Sequence, residues 1–399
     1  MFDFSGGISM FKKIISIVSA AALGVCCLTG CSNDTAGDKG DKESKELQKI
    51  TVAEVTHSVF YAPQYVAMSK GFFEEEGLEI DLVNTQGADK TMSALISGDA
   101  DIGLMGPEAS IYIYNQGEDD YAVNFAQLTQ CDGSFLVSRE KIDNFSYDDL
   151  KGKEVLGGRA GGVPLMTLEY VLKQNGVEIG EDTASGQCNV RTDVQFAAMA
   201  GAFAAGEADF TTAFEPTATQ LEKDGSGYIV ASIGKDSGKI PYTAYSSTKS
   251  YMKDNKEVLE KFTRAIYKAQ QWCKDASDKE IAEAIQPYFE DNDIDELVTV
   301  AKQYRKIGAW CENPYFEKES LDNLMKVMET AGELEKEAPY DKIVDTSIAQ
   351  DVIDEIPKHK SKFMDTKVIF KEAGFMSDAA KINAIQNLKQ FQIEDVRSL

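Results

Sequence analysis

Three charged side chains in this chain stand where a backbone bend would present them to a small molecule. Glu108 follows Gly106-Pro107, Glu215 sits between Phe214 and Pro216, and Arg159 lies within the run Gly-Gly-Arg-Ala-Gly-Gly-Val-Pro at 157–164. Each marks the start of a predicted helix, where unpaired backbone N–H groups point outward. A carboxylate there attracts amines. Arg159 with the backbone of Gly161, Gly162 and Val163 attracts an anionic group instead. Phe60 and Tyr61 add flat faces on which a ring can stack. Each has a plainer alternative: Phe60 and Tyr61 as core aromatics, Arg159 as a solvated residue, Glu215 as an acid complementing a helix dipole. The set suits binding better than catalysis. His57 and His359 are the two histidines of the chain, so neither a zinc site nor a Ser-His-Asp set is expected, and no cofactor is implied. The run at 157–164 is not a Walker loop, because no Gly-Lys-Ser/Thr follows.

The elements that must hold these residues repeat. The stretch 94–108 reads as a helix stopped by Gly98, an acid-Ala-Asp turn, a short apolar strand and a Pro-marked helix start; 202–216 repeats it with Gly206. Gly suits a left-handed helix cap and Pro the first turn of the next helix. Strands alternate with helices from 49 to 131 and again from 154 to 232, arguing for mostly parallel sheets covered on both faces. After Ser250 four helical stretches follow, at 255–274, 278–289, 293–308 and 318–331. The expected architecture is α/β and two-lobed: 49–130 plus 244–345 as one lobe, with 131–243 inserted as the other. Two crossings, near Cys131 and Tyr242, would form a hinge, and Tyr242 would line the cleft between lobes, where ligands of open α/β sheets bind. Removing Phe60 or Glu215 is expected to weaken binding with little effect on the unliganded fold.

The chain has 399 residues and a formal charge of −25. So acidic a surface argues against nucleic acid as a partner. Lys12 and Lys13 precede an apolar run at 14–28 that is short for a membrane span but right for an export signal, here 1–30. Leu28-Thr29-Gly30-Cys31 looks like a lipobox, which implies cleavage before Cys31 and lipidation of it. The polar stretch that follows, through residue 48, reads as a tether. Beyond the signal and Cys31, Cys131, Cys188, Cys273 and Cys311 remain; sequence does not pair them, and buried free thiols are the other reading. The end of the chain, 346–399, is an extension without an assigned role; its part 357–399 reverses the acidic balance and carries one amphipathic pattern.

The passage Gly71-Phe72-Phe73-Glu74-Glu75-Glu76-Gly77-Leu78-Glu79-Ile80, together with the two repeats, resembles a bacterial solute-binding family. Its members are the receptors of import systems for sulfonates, taurine, nitrate and thiamine pyrimidine precursors. The likeness spans about 49–345. It implies a type II periplasmic-binding-protein-like fold with a two-crossing hinge and a central cleft. It also implies no catalysis, lipid anchorage on the outer face of the cytoplasmic membrane, action as a monomer, and delivery of a small solute to an ABC permease and its ATPase. In that family the loop holding His57, Phe60 and Tyr61 faces the ligand. Glu108 and Glu215 would repel a bare sulfonate and welcome ring amines, so a nitrogen-bearing ring is the expected solute. Two alternatives use the same fold: an enzyme like the hydroxymethylpyrimidine synthases, which carry a cluster of adjacent cysteines, whereas the one adjacent pair here, Cys26-Cys27, lies inside the export signal, and a ligand-sensing receptor without transport.

Overall fold

The computed structural model describes residues 46–355. The expected signal, Cys31, nearly all of the tether and the extension beyond 355 lie outside the described residues.

Ten strands form two five-stranded sheets. The first uses β1 (Gln48–Glu54), β2 (Leu78–Asn84), β3 (Ile102–Met105), β4 (Ala122–Thr129) and β10 (Thr243–Thr248), in the order β2-β1-β3-β10-β4. The second uses β5 (Ser134–Ser138), β6 (Glu154–Leu156), β7 (Asn189–Arg191), β8 (Phe210–Phe214) and β9 (Tyr228–Ser232), in the order β7-β6-β8-β5-β9. In each sheet the strand that has just crossed from the other, β10 or β5, runs antiparallel to both neighbours, while β1–β2, β1–β3, β6–β7 and β6–β8 are parallel. The mostly parallel expectation therefore needs correction at the crossing strands. β5 had no counterpart in the sequence reading, because Ser134 to Ser138 is a short run without alternation. It is wholly buried, lying between β8 and the edge strand β9.

The repeated segments fold alike. Ala88–Ser97 and Met199–Ala205 each end at a glycine in the left-handed region, Gly98 at φ +77° and Gly206 at φ +99°, whose N–H groups close the last turn. Each then enters a short strand, β3 or β8, and a helix preceded by proline: Glu108–Asn115 after Pro107, Thr217–Lys223 after Pro216.

The long helix Lys256–Asp275 buries Val258, Leu259, Phe262, Ile266, Ala269 and Cys273 as one stripe, as its 3.6-residue spacing requires. Ser347–Glu355 packs back on it through Ile348, Ala349 and Val352. Lys318–Ala331 packs instead against Val163–Gln174, which flanks the second sheet. One continuous apolar core includes Phe125 and Tyr245 of the first sheet and Phe135 and Ala213 of the second. The cysteines at 131, 188, 273 and 311 are free and buried. No described helix is long and apolar enough to cross a membrane.

Candidate functional site

The 3-10 turn Val59–Tyr61 begins where β1 ends. Ser58 Oγ accepts from Phe60 N at 3.2 Å and so caps the turn. This places Phe60 between the two sheets. Its ring centroid lies 5.7 Å from Phe214, 5.6 Å from Tyr242 and 5.2 Å from Tyr304. Its carbonyl accepts from Trp310 Nε1 at 3.0 Å. Three predicted residues, Phe60, Phe214 and Tyr242, are thus brought together, each from a different part of the chain. Tyr61 lies beside Phe60 with its ring tilted and its centroid 5.8 Å away, and it is buried too.

Glu108 opens the helix after β3. Its carboxylate folds back over Gly106, so closely that a Cβ there would stand 1.9 Å from Oε2; any side chain at 106 would displace it. Glu108 is 4% exposed, and Oε2 has no hydrogen-bond partner. Ser110 Oγ, two residues on, has none either. Burial pushes the carboxyl up to about 7, against the backbone N–H groups of Glu108 and Ala109 and the Arg159 charge. A buried acceptor without a donor is costly, and it is what a ligand's N–H would satisfy.

Across from it, Arg159 pairs with Asp89 at 3.2 Å, both side chains being more than half exposed. Tyr112 Oη donates to Gly161 O at 3.3 Å. Gly162 precedes the helix Val163–Gln174, and Val163 is buried in the core. Glu215 is already engaged. Its Oε2 accepts from Thr219 N and its Oε1 from Thr219 Oγ1, each at 2.9 Å, while its own N donates to Tyr304 Oη at 2.9 Å. Burial raises this carboxyl and the Thr219 donors lower it. It acts as a helix cap.

His57 stands apart from the aromatic cluster. Its Nε2 donates to Tyr288 O at 2.6 Å, its Nδ1 lies 3.1 Å from Glu54 Oε1, and its ring stacks on Phe289 at 4.6 Å. Glu54 itself is buried and accepts from Gln64 Nε2 and Tyr65 Oη.

Sequence reasoning missed Asp132, which is fully buried where the chain first crosses between sheets. Its Oδ1 accepts from Ser134 N at 2.6 Å and its Oδ2 from Thr167 Oγ1. It also missed Tyr304 and Trp310, whose partners are far away in the chain. The one cue was an acid directly after Cys131, at the crossing already inferred. Among the described residues no group of three or more His, Cys, Asp or Glu is placed to hold a metal ion. An open groove of about 1020 Å³, lined in part by Tyr121, Lys249, Tyr340 and Asp345, contains none of the predicted residues.

A family model described as the NMT1-like family matches residues 43–286. The protein YtlA of Bacillus subtilis is 46% identical over 314 residues, covering 79% of this chain and 92% of its own. The alkanesulfonate-binding protein SsuA from Xanthomonas axonopodis pv. citri, solved bound to MOPS, superposes with a TM-score of 0.60 at 15% identity, over 76% of this chain and 99% of that one. The periplasmic nitrate-binding protein NrtA from Synechocystis gives 0.58 at 15% identity, over 80% and 90%. At these identities the structural likeness establishes the fold, that of periplasmic binding proteins.

Proposed function

The chain belongs to the NMT1-like family, and from that premise we propose that it is the extracytoplasmic solute-binding component of an ABC import system. It captures a small solute between its two lobes and hands it to a permease driven by an ATPase. The lobes are 49–130 with 244–345 and the inserted 131–243, and the chain works as a monomer held to the membrane through a lipid on Cys31. Its catch is closure: the solute favours the closed form by contacting both halves at once. It acts without catalysis.

The solute we infer is a small ring bearing amines, such as a thiamine pyrimidine precursor, ahead of a sulfonate, taurine or nitrate. One observation carries this: the buried, unpartnered Oε2 of Glu108. A buried carboxylate repels an anion and pairs with an N–H donor. The cation acting on Glu108 is Arg159, already committed to Asp89 at the exposed rim. Phe60, Phe214 and Tyr242 supply the flat apolar wall that a ring needs.

Thermal-shift measurements on the purified full chain test the reading. A solute at 100 times its Kd adds about 2.7 kcal/mol of stability. Aminopyrimidines should raise the melting temperature, and alkanesulfonates, taurine and nitrate should leave it in place. The reverse pattern would remove the amine-bearing ring from consideration.

A further inference from the structure

His57 is held at both ring nitrogens, and a neutral ring cannot serve both holds. Nε2 lies 2.6 Å from Tyr288 O, a carbonyl that only accepts. Nδ1 faces Glu54 Oε1 at 3.1 Å, and an ionised carboxylate likewise only accepts. A neutral imidazole carries one N–H, so donating at both places takes the imidazolium. Glu54 needs that charge. It is 1% exposed, and among the described residues His57 is the one basic side chain in ion-pair reach of it.

Tyr65 supplies a second arrangement. Its hydroxyl stands 2.8 Å from Glu54 Oε2 and 3.0 Å from His57 Nδ1, and it has one hydrogen to give. With the ring charged, Tyr65 and Gln64 Nε2 both donate to Oε2 while Nδ1 donates to Oε1. With the ring neutral and Nε2 still on Tyr288, Nδ1 becomes an acceptor and draws the Tyr65 hydrogen to itself. Glu54 then keeps Gln64 as donor and no counter-charge, a costly state for a buried carboxylate. The Glu54 hydrogen bond raises the ring above its ordinary 6.5, partial burial opposes this, and the Tyr288 carbonyl adds to the rise. The other groups packed on the ring carry no competing charge. Phe289 stacks on it at 4.6 Å, burial and Glu54 keep Tyr65 protonated, and burial and Glu74 do the same for Tyr288.

Both ends of this clasp lead to the seam between the sheets. His57 is followed by Ser58, which caps Val59–Tyr61 and so sets Phe60. Tyr288 and Phe289 are followed by Asp293, whose Oδ1 accepts from Glu296 N at 2.7 Å and caps the helix Ile294–Ile307. That helix carries Tyr304, which lies 5.2 Å from Phe60 and accepts from Glu215 N of the second half. Its Gln303 donates to Thr219 Oγ1 beside it. We propose that His57, Glu54 and Tyr65 form a proton-operated clasp, which holds the Phe60 turn and the helix Ile294–Ile307 together while the ring is charged and loosens the seam between the halves when the proton leaves. A raised base is charged below its folded value, so the clasp is shut on the acidic side and slackens as pH climbs through that value. The device is regulatory and does not depend on which solute the cleft takes.

The chain has two histidines and two tryptophans, and Trp310 Nε1 donates to Phe60 O at 3.0 Å, so Trp310 emission reports on the Phe60 turn. In the full chain carrying His359→Gln and Trp272→Phe, the His57 ring is followed by NMR and Trp310 by fluorescence across the neutral pH range, with no solute added. Emission should follow a single curve whose midpoint coincides with that of the ring and lies above 6.5. His57→Gln should abolish the curve. Glu54→Gln should lower the ring's midpoint by about one unit or more, and the emission midpoint with it, because the attracting charge is gone. His57→Gln covers the case in which that buried substitution does not fold. If emission stays flat while the ring titrates, or if the curve survives in His57→Gln, as it would were Glu108 its source, the clasp is refuted. A ring midpoint below 6.5, or one that Glu54→Gln leaves in place, refutes it as well. Because no solute takes part, each of these outcomes leaves the solute-binding reading to its own test.

Discussion

Arg159 Nη1 stands 3.2 Å from Asp89 Oδ1, joining the glycine-rich loop after β6 to the helix Ala88–Ser97 beside the first sheet. The pair bridges the halves at their rim, with 54% and 60% of the two side chains exposed. Exposed ion pairs contribute about 0–1 kcal/mol. Arg159→Ala should therefore change the Kd for an aminopyrimidine by no more than about fivefold. A hundredfold loss in titration would show that Arg159 touches the solute directly.

Glu108 gives a prediction in which stability and binding move in opposite directions. Its carboxyl is raised from 4.5 to about 7, so the folded chain holds a proton that the unfolded chain has lost. Stability from this group is fully present below about 4.5 and declines as pH rises through about 7, by up to ~3 kcal/mol. Without ligand, Glu108→Gln should melt higher than the wild type at pH 8 and equally at pH 4.5. It should also bind aminopyrimidines at least ~10-fold more weakly. A variant that melts lower at pH 8 would mean that the carboxylate has a partner in the free protein.

The same group sets a pH dependence for affinity. A solute with a fixed positive charge, such as an N-methylated aminopyrimidinium, needs Glu108 ionised. Its Kd should tighten by roughly tenfold from pH 6 to pH 8, because Glu108 titrates near 7. A flat profile by calorimetry would place the charge elsewhere.

Phe60 and Glu215 reverse an expectation drawn from sequence. Phe60 is 1% exposed and packs against Phe214, Tyr242 and Tyr304. Phe60→Ala should cost about 3–5 kcal/mol of unliganded stability. Glu215→Ala removes the acceptor of two Thr219 donors and should cost about 1–2 kcal/mol. Denaturant titration reads both; an unchanged midpoint for Phe60→Ala would mean that the cluster forms only with ligand.

His57 sets a second, smaller pH trend. Its hydrogen bond to Glu54 and the Tyr288 carbonyl raise it above 6.5, while partial burial lowers it. A raised base stabilises the fold fully below its unfolded value near 6.5, and that contribution fades as pH climbs through the folded value. With 39% of the side chain exposed, the effect stays below ~1 kcal/mol. The advantage of the wild type over His57→Gln in melting temperature should be larger at pH 5.5 than at pH 8.5. A growing advantage at alkaline pH would contradict the assignment.

The elements that sequence reveals here are those whose causes are local. Gly98 and Gly206 stop helices through their own backbone freedom, and the stripe from Val258 to Cys273 needs only its spacing. The site is less legible because its bonds are distant. Asp132 meets Thr167 35 residues on, Glu215 meets Tyr304 89 away, and Phe60 meets Trp310 250 away. β5 escaped for a related reason: its place inside the sheet follows from β8 and β9 pairing on either side of it, not from any pattern of its own. Glu215 shows the converse. Its position after Phe214 marked it correctly as a helix start, yet position alone does not tell a cap from a ligand contact.

The two passages between the sheets are fastened to each other: Thr129 Oγ1 and Thr243 Oγ1 lie 2.6 Å apart, and Thr243 N donates to Thr129 Oγ1 at 3.0 Å. A stretch of about 110 residues that leaves and re-enters its host at one stitched point behaves as an exchangeable cassette. Evolution, or an engineer, can transplant it between cousins and so recombine half of a recognition surface while the recipient keeps its own termini and scaffold.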